Sequence, residues 1–427
     1  MSKTDKEFAT NASVSASLEG DSQKIFRLRK RHFRARCGIL ELKHGQVDTP
    51  VFMPVGTQGT LKGLIPQQME NALTLPSIGT AEKCRLILGN TYHLGLRPGQ
   101  AKLRKFNGLH SFSTWKSNLL TDSGGFQLVS LKKLAKVSEE GVIFSSSHDS
   151  RELILSPEDS IEIQQAIGSD IMMQLDDVLH IKTPSYEEME DSMLRSIRWL
   201  DRCIQQWHSS LYSSNNQNLF AIIQGGNNAT LRLASIQAVL QRDCPGHAIG
   251  GLSGGEEKEL FCDTVKLCTS LLPENKPIYL MGVGYPVDVV VAIALGVDMF
   301  DCVYPCRTAR FGTALTAKGE IHFSKSLGTA DNSKIDDFCD CLTCSRYTKL
   351  SMLYAFRCDR RTGGQLLSIH NMSYMMRLTR NAREAILAEK FDVFVAEFMI
   401  NYFQSKENIP PWVLMTLKNA GIDLSEF

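Results

Sequence analysis

From about residue 50 to 302, short apolar runs of strand length alternate with amphipathic stretches of helix length. The runs fall at 51–55, 85–89, 118–122, 170–176, 219–224, 247–251, 277–282 and 297–302, which makes eight. Convincing helices lie between several of them. Ser156 supplies a cap with Pro157 in the first turn, and 186–207 carries Met189, Met193, Ile197, Leu200 and Ile204 on one face. Eight strands with intervening helices predict an α/β fold, a (β/α)8 TIM barrel, rather than an open doubly wound sheet. An early segment, 26–56, contains the turn-like Lys43-His44-Gly45-Gln46 and predicts a small N-terminal antiparallel cap; 142–155 predicts an inserted hairpin. The expected organisation is a disordered tail over 1–24, cap and barrel over 25–322, a zinc-binding subdomain inserted over 323–373, and closing helices over 374–427.

The zinc expectation comes from Cys339-x-Cys341-x2-Cys344, followed 26 positions later by His370. Three thiolates and an imidazole make one closed tetrahedral site, with the last ligand on a helix marked by Leu366, Leu367, Ile369, Met372 and Met376. A closed site leaves no position for water, so the metal reads as one structural Zn2+ and the chemistry should lie elsewhere. His322 ranks second as the fourth ligand. The other nine of the twelve cysteines show no pairing pattern, which suggests reduced thiols in the cytoplasm. Whether the protein sits on the mitochondrial outer membrane surface is left open by the residues.

Hydrophobic content of 43% and charged content of 22% are those of a soluble globular protein. No apolar run reaches the roughly 18 to 20 residues that a membrane span needs. A net charge of +1 neither demands nor excludes a nucleic-acid partner, because phosphate binding depends on where charges cluster. Arg27, Arg29, Lys30, Arg31, Arg34 and Arg36 form one cluster, read as the wet face of an early strand; Arg307 and Arg310 form another.

Asp122, Asp176, Gln224, Gly251 and Asp301 all fall at carboxyl ends of predicted strands, where a barrel collects its active site. Asp122 precedes paired glycines, and Asp301 sits among apolar neighbours. Two carboxylates on one barrel mouth suit displacement at a sugar anomeric carbon, one attacking and the other moving protons. Taken singly, each Asp more often caps a helix or takes a structural hydrogen bond. Asp176-Asp177, Gln224-Gly225-Gly226 and Gly250-Gly251-Leu252 would give that rim a carboxylate, an amide and exposed backbone, a set that matches a purine edge. Met281 could pack on the base or belong to the core.

The segments TDSGGFQ, LFAIIQGG, AIGGLSGGE, YLMGVGYP and GVDMFDCVYPCRTARFG and the CxCxxC…H site, in this order, resemble the tRNA-guanine transglycosylases, specifically the eukaryotic catalytic subunits. The resemblance runs over nearly the whole chain from about residue 25. It implies exchange of guanine at wobble position 34 of tRNAs with GUN anticodons, those for aspartate, asparagine, histidine and tyrosine, for the 7-deazaguanine queuine. On that pattern Asp301 is the nucleophile at the ribose C1′ and Asp122 the general acid/base. Asp176, Gln224, Gly251 and Leu252 match base-recognition positions, Phe126 and Met281 stacking positions, and Arg307 and Arg310 tRNA-backbone contacts. Cys339, Cys341, Cys344 and His370 match the zinc ligands. Bacterial relatives typically carry Cys and Val at the positions of Val178 and Gly254; glycine at 254 removes a wall beside the 7-substituent and favours queuine. Cys306 departs from the usual threonine. The resemblance also implies a heterodimer with a noncatalytic paralogous subunit. Rival readings are a zinc-assisted hydrolase, which needs an open metal position, and a noncatalytic tRNA-binding scaffold.

Overall fold

The computed structural model describes residues 25–71, 83–125, 135–145, 152–179, 184–209, 217–323 and 331–426. The predicted tail over 1–24 and Phe126 lie outside the described residues. Three strands, β1 (Phe26–His32), β2 (Ala35–Leu42) and β3 (Gly45–Thr49), form an antiparallel sheet, the predicted cap. The chain then enters the barrel with β4 (Val51–Pro54), β5 (Leu86–Gly89) and β6 (Asn118–Thr121). An excursion of three antiparallel strands, β7 (Ala135–Val137), β8 (Val142–Ser145) and β9 (Glu152–Leu155), extends the predicted hairpin by one short strand. The barrel resumes with β10 (Ile171–Met173), β11 (Asn218–Ile223), β12 (Gly246–Ile249), β13 (Ile278–Leu280) and β14 (Met299–Cys302).

Barrel strands pair in parallel in the order β4-β14-β13-β12-β11-β10-β6-β5, and each predicted run overlaps one of them. The two ends of the sheet meet where Val55 bridges Leu88 and the Gly56 N–H donates to the Leu88 carbonyl at 2.8 Å. Period-2 alternation then sorts the side chains. Val51, Met53, Leu86, Leu88, Leu120, Ile171, Met173, Phe220, Ile222, Ala248, Tyr279 and Met299 share one buried cluster with Phe26, Leu40 and Val47 of the cap, so the cap plugs the barrel floor. Phe52, Ile87, Leu119, Ala221, Ile223, Ile249, Leu280 and Phe300, the alternate positions, pack outward against the helices.

Polar staples hold cap to barrel. Arg36 is buried and meets Asp298 through two bonds, Nε to Oδ1 at 3.1 Å and Nη2 to Oδ2 at 2.5 Å. Arg27, Arg29 and Arg31, by contrast, are exposed and pair with Glu41, Asp48 and Glu274, as a solvated strand face should. In the β2–β3 turn, the His44 N–H donates to Asp170 Oδ1 at 3.2 Å and its ring Nδ1 lies 2.7 Å from the same oxygen. That ring stacks on His110 with centroids 3.7 Å apart.

Ser156 does cap the Pro157–Ile167 helix, in a reciprocal capping box with Asp159. The helix predicted at 186–207 spans Tyr186–Ser209, and its buried face includes Ser192, Ser196, Trp199 and Cys203 beside Met193 and Leu200. After β14 come the short Tyr304–Arg310 helix and a hairpin of β15 (Thr313–Thr316) and β16 (Gly319–His322). The 28-residue Arg360–Leu387 helix follows and runs continuously past residues 373 and 374. Helices Phe391–Phe403 and Pro411–Asn419 come after it. No helix among the described residues is long and apolar enough to cross a membrane.

His247 of β12 is fully buried, and neither ring nitrogen has a hydrogen-bond partner among the described residues. Burial pushes its pKa down to about 3, so the folded state holds it neutral. Above the unfolded value, near 6.5, this has no effect; below it only the unfolded state gains the proton, and stability falls as pH drops toward 3. The expected loss is roughly 2 kcal/mol between pH 7 and pH 5. Urea unfolding at the two pH values measures it, and the His247→Leu chain should lose correspondingly less.

Candidate active site

The inward parity of each strand carries into the residues just beyond its carboxyl end. Asp301 shares the parity of Met299, Gln224 that of Ile222, and Asp122 that of Leu120, so these polar groups converge on one mouth. Met299 and Phe300 are fully buried core side chains. Asp301 Oδ1 accepts from the Tyr279 hydroxyl at 2.6 Å and from the Gly282 N–H at 2.7 Å. Burial raises the Asp301 pKa, and these two donors oppose it. Burial and the adjacent Asp301 charge together hold the Tyr279 hydroxyl protonated, far above its ordinary pKa.

Asp122 is gripped from the end of β5. Its Oδ2 accepts from Asn90 Nδ2 at 2.5 Å, and its Oδ1 from the N–H groups of Thr91 at 2.9 Å and Gly124 at 3.1 Å. Asn90 also caps the helix that starts at Thr91, its Oδ1 accepting from the His93 N–H at 2.9 Å. Removal from water, with a smaller push from the Asp301 charge, outweighs the pull of the three donors, and the Asp122 pKa is raised to about 7. A carboxyl that titrates near neutrality can both give and take a proton.

Asp176 lies three residues past β10 and is buried. It accepts from Gln224 Nε2 at 2.6 Å and from Ser123 Oγ at 3.1 Å, and burial raises it to about 6. Asp177 does not join it at the rim: its carboxylate pairs with Arg195 of the Tyr186–Ser209 helix, and its N–H donates to Ser196 Oγ at 2.9 Å. Gly251 has a positive φ of 68°, and a Cβ there would come within 2.4 Å of Gln224 Oε1. Only glycine lets the backbone approach that amide so closely. Leu252 and Met281 are half-buried beside this group, and Gly254 is exposed in a turn where the Glu256 carboxylate accepts from Ser253, Gly254 and Gly255 N–H at 2.6, 2.9 and 3.1 Å.

Arg232 is fully buried and fixes the loops behind Gln224. It donates to the carbonyls of Gly226 at 2.8 Å, Ile223 at 2.6 Å and Gly250 at 2.7 Å. Desolvation lowers its pKa. Sequence reasoning missed Arg232, and also Tyr279, Asn90 and Ser123. Asn90 carried a signal, an Asn between a strand and a helix; Tyr279 carried one in its parity with Met281. Arg232 sits in an apolar helical run and carried none.

Outside the barrel, the Sγ atoms of Cys339, Cys341 and Cys344 and a ring nitrogen of His370 lie within 4.8 Å of one another, all four residues buried. His370 Nδ1 faces Cys344 Sγ at 3.2 Å, while Nε2 lies 2.8 Å from the Leu315 carbonyl. The Cys344 N–H points at Cys341 Sγ, 3.3 Å away. Soft donors at this separation, with the imidazole oriented through its other nitrogen, fit a tetrahedral zinc ion. His322 lies apart, its Nδ1 3.0 Å from Thr313 Oγ1. Asn371, the next residue after His370, donates to the Pro305 and Thr313 carbonyls at 2.9 and 3.0 Å and accepts from the Leu315 N–H at 2.9 Å. The cluster is thereby joined to the segment that follows Asp301. On that segment Arg307 is exposed, Arg310 is half-buried with Nε 3.3 Å from the Cys306 carbonyl, and Cys306 is buried.

Residues 32–404 match the profile of the family described as queuine tRNA-ribosyltransferase. The queuine tRNA-ribosyltransferase catalytic subunit of Schizosaccharomyces pombe is 48% identical over 398 residues, covering 92% of this chain and 95% of that protein. The catalytic subunit so named in Caenorhabditis elegans is 43% identical over 404 residues, 91% of this chain and 97% of the other. The queuine tRNA-ribosyltransferase of Thermus thermophilus is 43% identical over 396 residues, 93% and 98% of the two chains.

Replacing Arg232 by methionine leaves three buried carbonyls without their donor. The expected cost is on the order of 3 kcal/mol of stability, measured by urea unfolding at neutral pH. An Arg232→Met chain as stable as the parent would show that the three bonds contribute little.

Proposed function

The chain belongs to the queuine tRNA-ribosyltransferase family, on the side of its catalytic subunits, and from that premise we propose that it replaces guanine with queuine at the wobble position of GUN-anticodon tRNAs through a covalent Asp301–ribose bond. The observation that carries the reading is the Asp301 carboxylate itself, held by two donors on Oδ1 beside a second carboxyl that titrates near neutrality. With Oδ1 engaged, Oδ2 is the oxygen turned to the ribose carbon.

The target nucleotide leaves the anticodon loop and enters the mouth, which costs less from a loop than from a duplex. Asp301 Oδ2 bonds to C1′ as the C1′–N9 bond breaks, and the departing guanine takes its proton from Asp122. Queuine then returns a proton to Asp122 and displaces the carboxylate, so two inversions give net retention. Tyr279, still protonated, steadies the negative charge on Asp301 before attack and after release. In this reading Asp176 and Gln224 bind the Watson–Crick edge, and Gly251 and Leu252 offer backbone groups to it. Met281, with Phe126, would stack on the base. Gly254 has no side chain to wall off the 7-substituent.

Cys339, Cys341, Cys344 and His370 would hold one structural Zn2+. The ion supplies no catalytic chemistry when bound; it closes the subdomain. Arg307 and Arg310 serve the tRNA backbone, and the working form is a heterodimer with a noncatalytic paralogue.

Wild-type protein mixed with substrate tRNA and then denatured should retain a covalent adduct that vanishes in Asp301→Ala and persists in Cys306→Ser. An adduct that survives loss of the Asp301 carboxylate would rule out the mechanism. Stripping the metal, verified by elemental analysis, should lower the melting temperature and raise the KM for tRNA, since structural zinc contributes roughly 10 kcal/mol of folding free energy. Unchanged melting after verified loss would remove the structural role.

A further inference from the structure

The chain segment that donates to Asp301 goes on to present an aromatic face at the mouth. Gly282 supplies the N–H, and two residues later the backbone lies directly on the neighbour of Asp301: a Cβ at Gly284 would come 2.2 Å from Cys302 Cβ. Tyr285 follows, 52% exposed, at the start of the Pro286–Ala294 helix. One face of its ring is covered by Tyr304, with centroids 4.1 Å apart and planes at 40°. Tyr304 is itself fixed: its hydroxyl donates to Glu320 of β16, and its N–H points to Cys302 Sγ at 3.4 Å. Arg307 lies one helical turn beyond Tyr304, exposed, and close enough to Cys302 to lower that thiol's pKa against burial.

An aromatic ring held from behind by a second ring loses little freedom when a flat ligand settles on it. The neighbours of a flipped nucleotide need such a surface, because extruding one base strips the adjacent base of a stacking partner. We propose that Tyr285, backed by Tyr304, is a stacking platform for the base adjacent to the exchanged nucleotide, with Arg307 beside it for the intervening phosphate. This rests on the transglycosylase reading above and adds a positioning residue to it. Tyr285 touches neither the base that leaves nor the one that enters. Its effect is to hold the extruded geometry of the anticodon loop.

The test is a cycle between protein and RNA, read by incorporation of labelled guanine into tRNA. Tyr285→Ala should raise the KM for tRNA about tenfold, the weight of one lost base–aromatic stack, with a much smaller change in kcat. Tyr285→Phe should restore the parent KM. Substrates with an abasic site immediately 5′ or immediately 3′ of the exchanged nucleotide identify the base: with the correct one removed, wild type and Tyr285→Ala should have the same KM. If the alanine penalty persists undiminished on both abasic substrates, Tyr285 acts through local packing and the platform is wrong. If the wild-type protein incorporates no guanine into intact tRNA, the transglycosylase reading falls and takes this inference with it.

Discussion

Everything at the mouth of this barrel depends on carboxylates drawn out of water and given fixed donors instead. Asp301 has Tyr279 and Gly282, Asp122 has Asn90, Thr91 and Gly124, and Asp176 has Gln224 and Ser123. Burial raises all three, while the donors limit the rise to different extents. A closed parallel sheet is well suited to this task, because its strand ends hold such groups at fixed separations and its floor is sealed by packed side chains. The cap contributes from the far end: without Phe26, Leu40 and Val47 the inward-facing residues would have an open base.

The second constraint is the join between the Cys3His cluster and the segment that follows the strand bearing Asp301. His370 and Asn371 are adjacent on one helix, yet the first faces the cysteines and the second binds Pro305, Thr313 and Leu315. His370 also holds the Leu315 carbonyl. A change at the cluster therefore reaches the segment carrying Tyr304 and Arg307 through one turn of helix and a few hydrogen bonds. A metal held by these four residues would in this way bear on how well the rim is formed.

Arginine shows how little residue type alone reveals. Arg36 is buried against Asp298 and ties cap to barrel, and Arg232 is buried and met, among the described residues, by three carbonyls. Arg27, Arg29 and Arg31 alternate outward on β1 and find their carboxylate partners in solvent, whereas Arg307 stands exposed beside the mouth. The reading of the first cluster as a wet strand face holds for the alternating residues and misses Arg36. A sequence shows a run of charge; which member turns inward depends on what strand lies beneath it.

The eight barrel strands, the antiparallel cap, the capped helix at Ser156 and the convergence of Cys339, Cys341, Cys344 and His370 were all legible in the sequence. Each rests on local rules: apolar runs, turn and cap residues, ligand spacing. Inward parity placed Asp301, Asp122 and Gln224 for the same reason. The donors that decide how those carboxylates behave were not legible, since Asn90, Tyr279 and Ser123 come from different strands and loops and meet them only when the sheet closes. Asp177 looked equivalent to Asp176 until the Tyr186–Ser209 helix placed Arg195 against it. Periodicity is written along the chain, but dielectric surroundings and hydrogen-bond partners belong to contacts between distant segments, and only the folded barrel creates those.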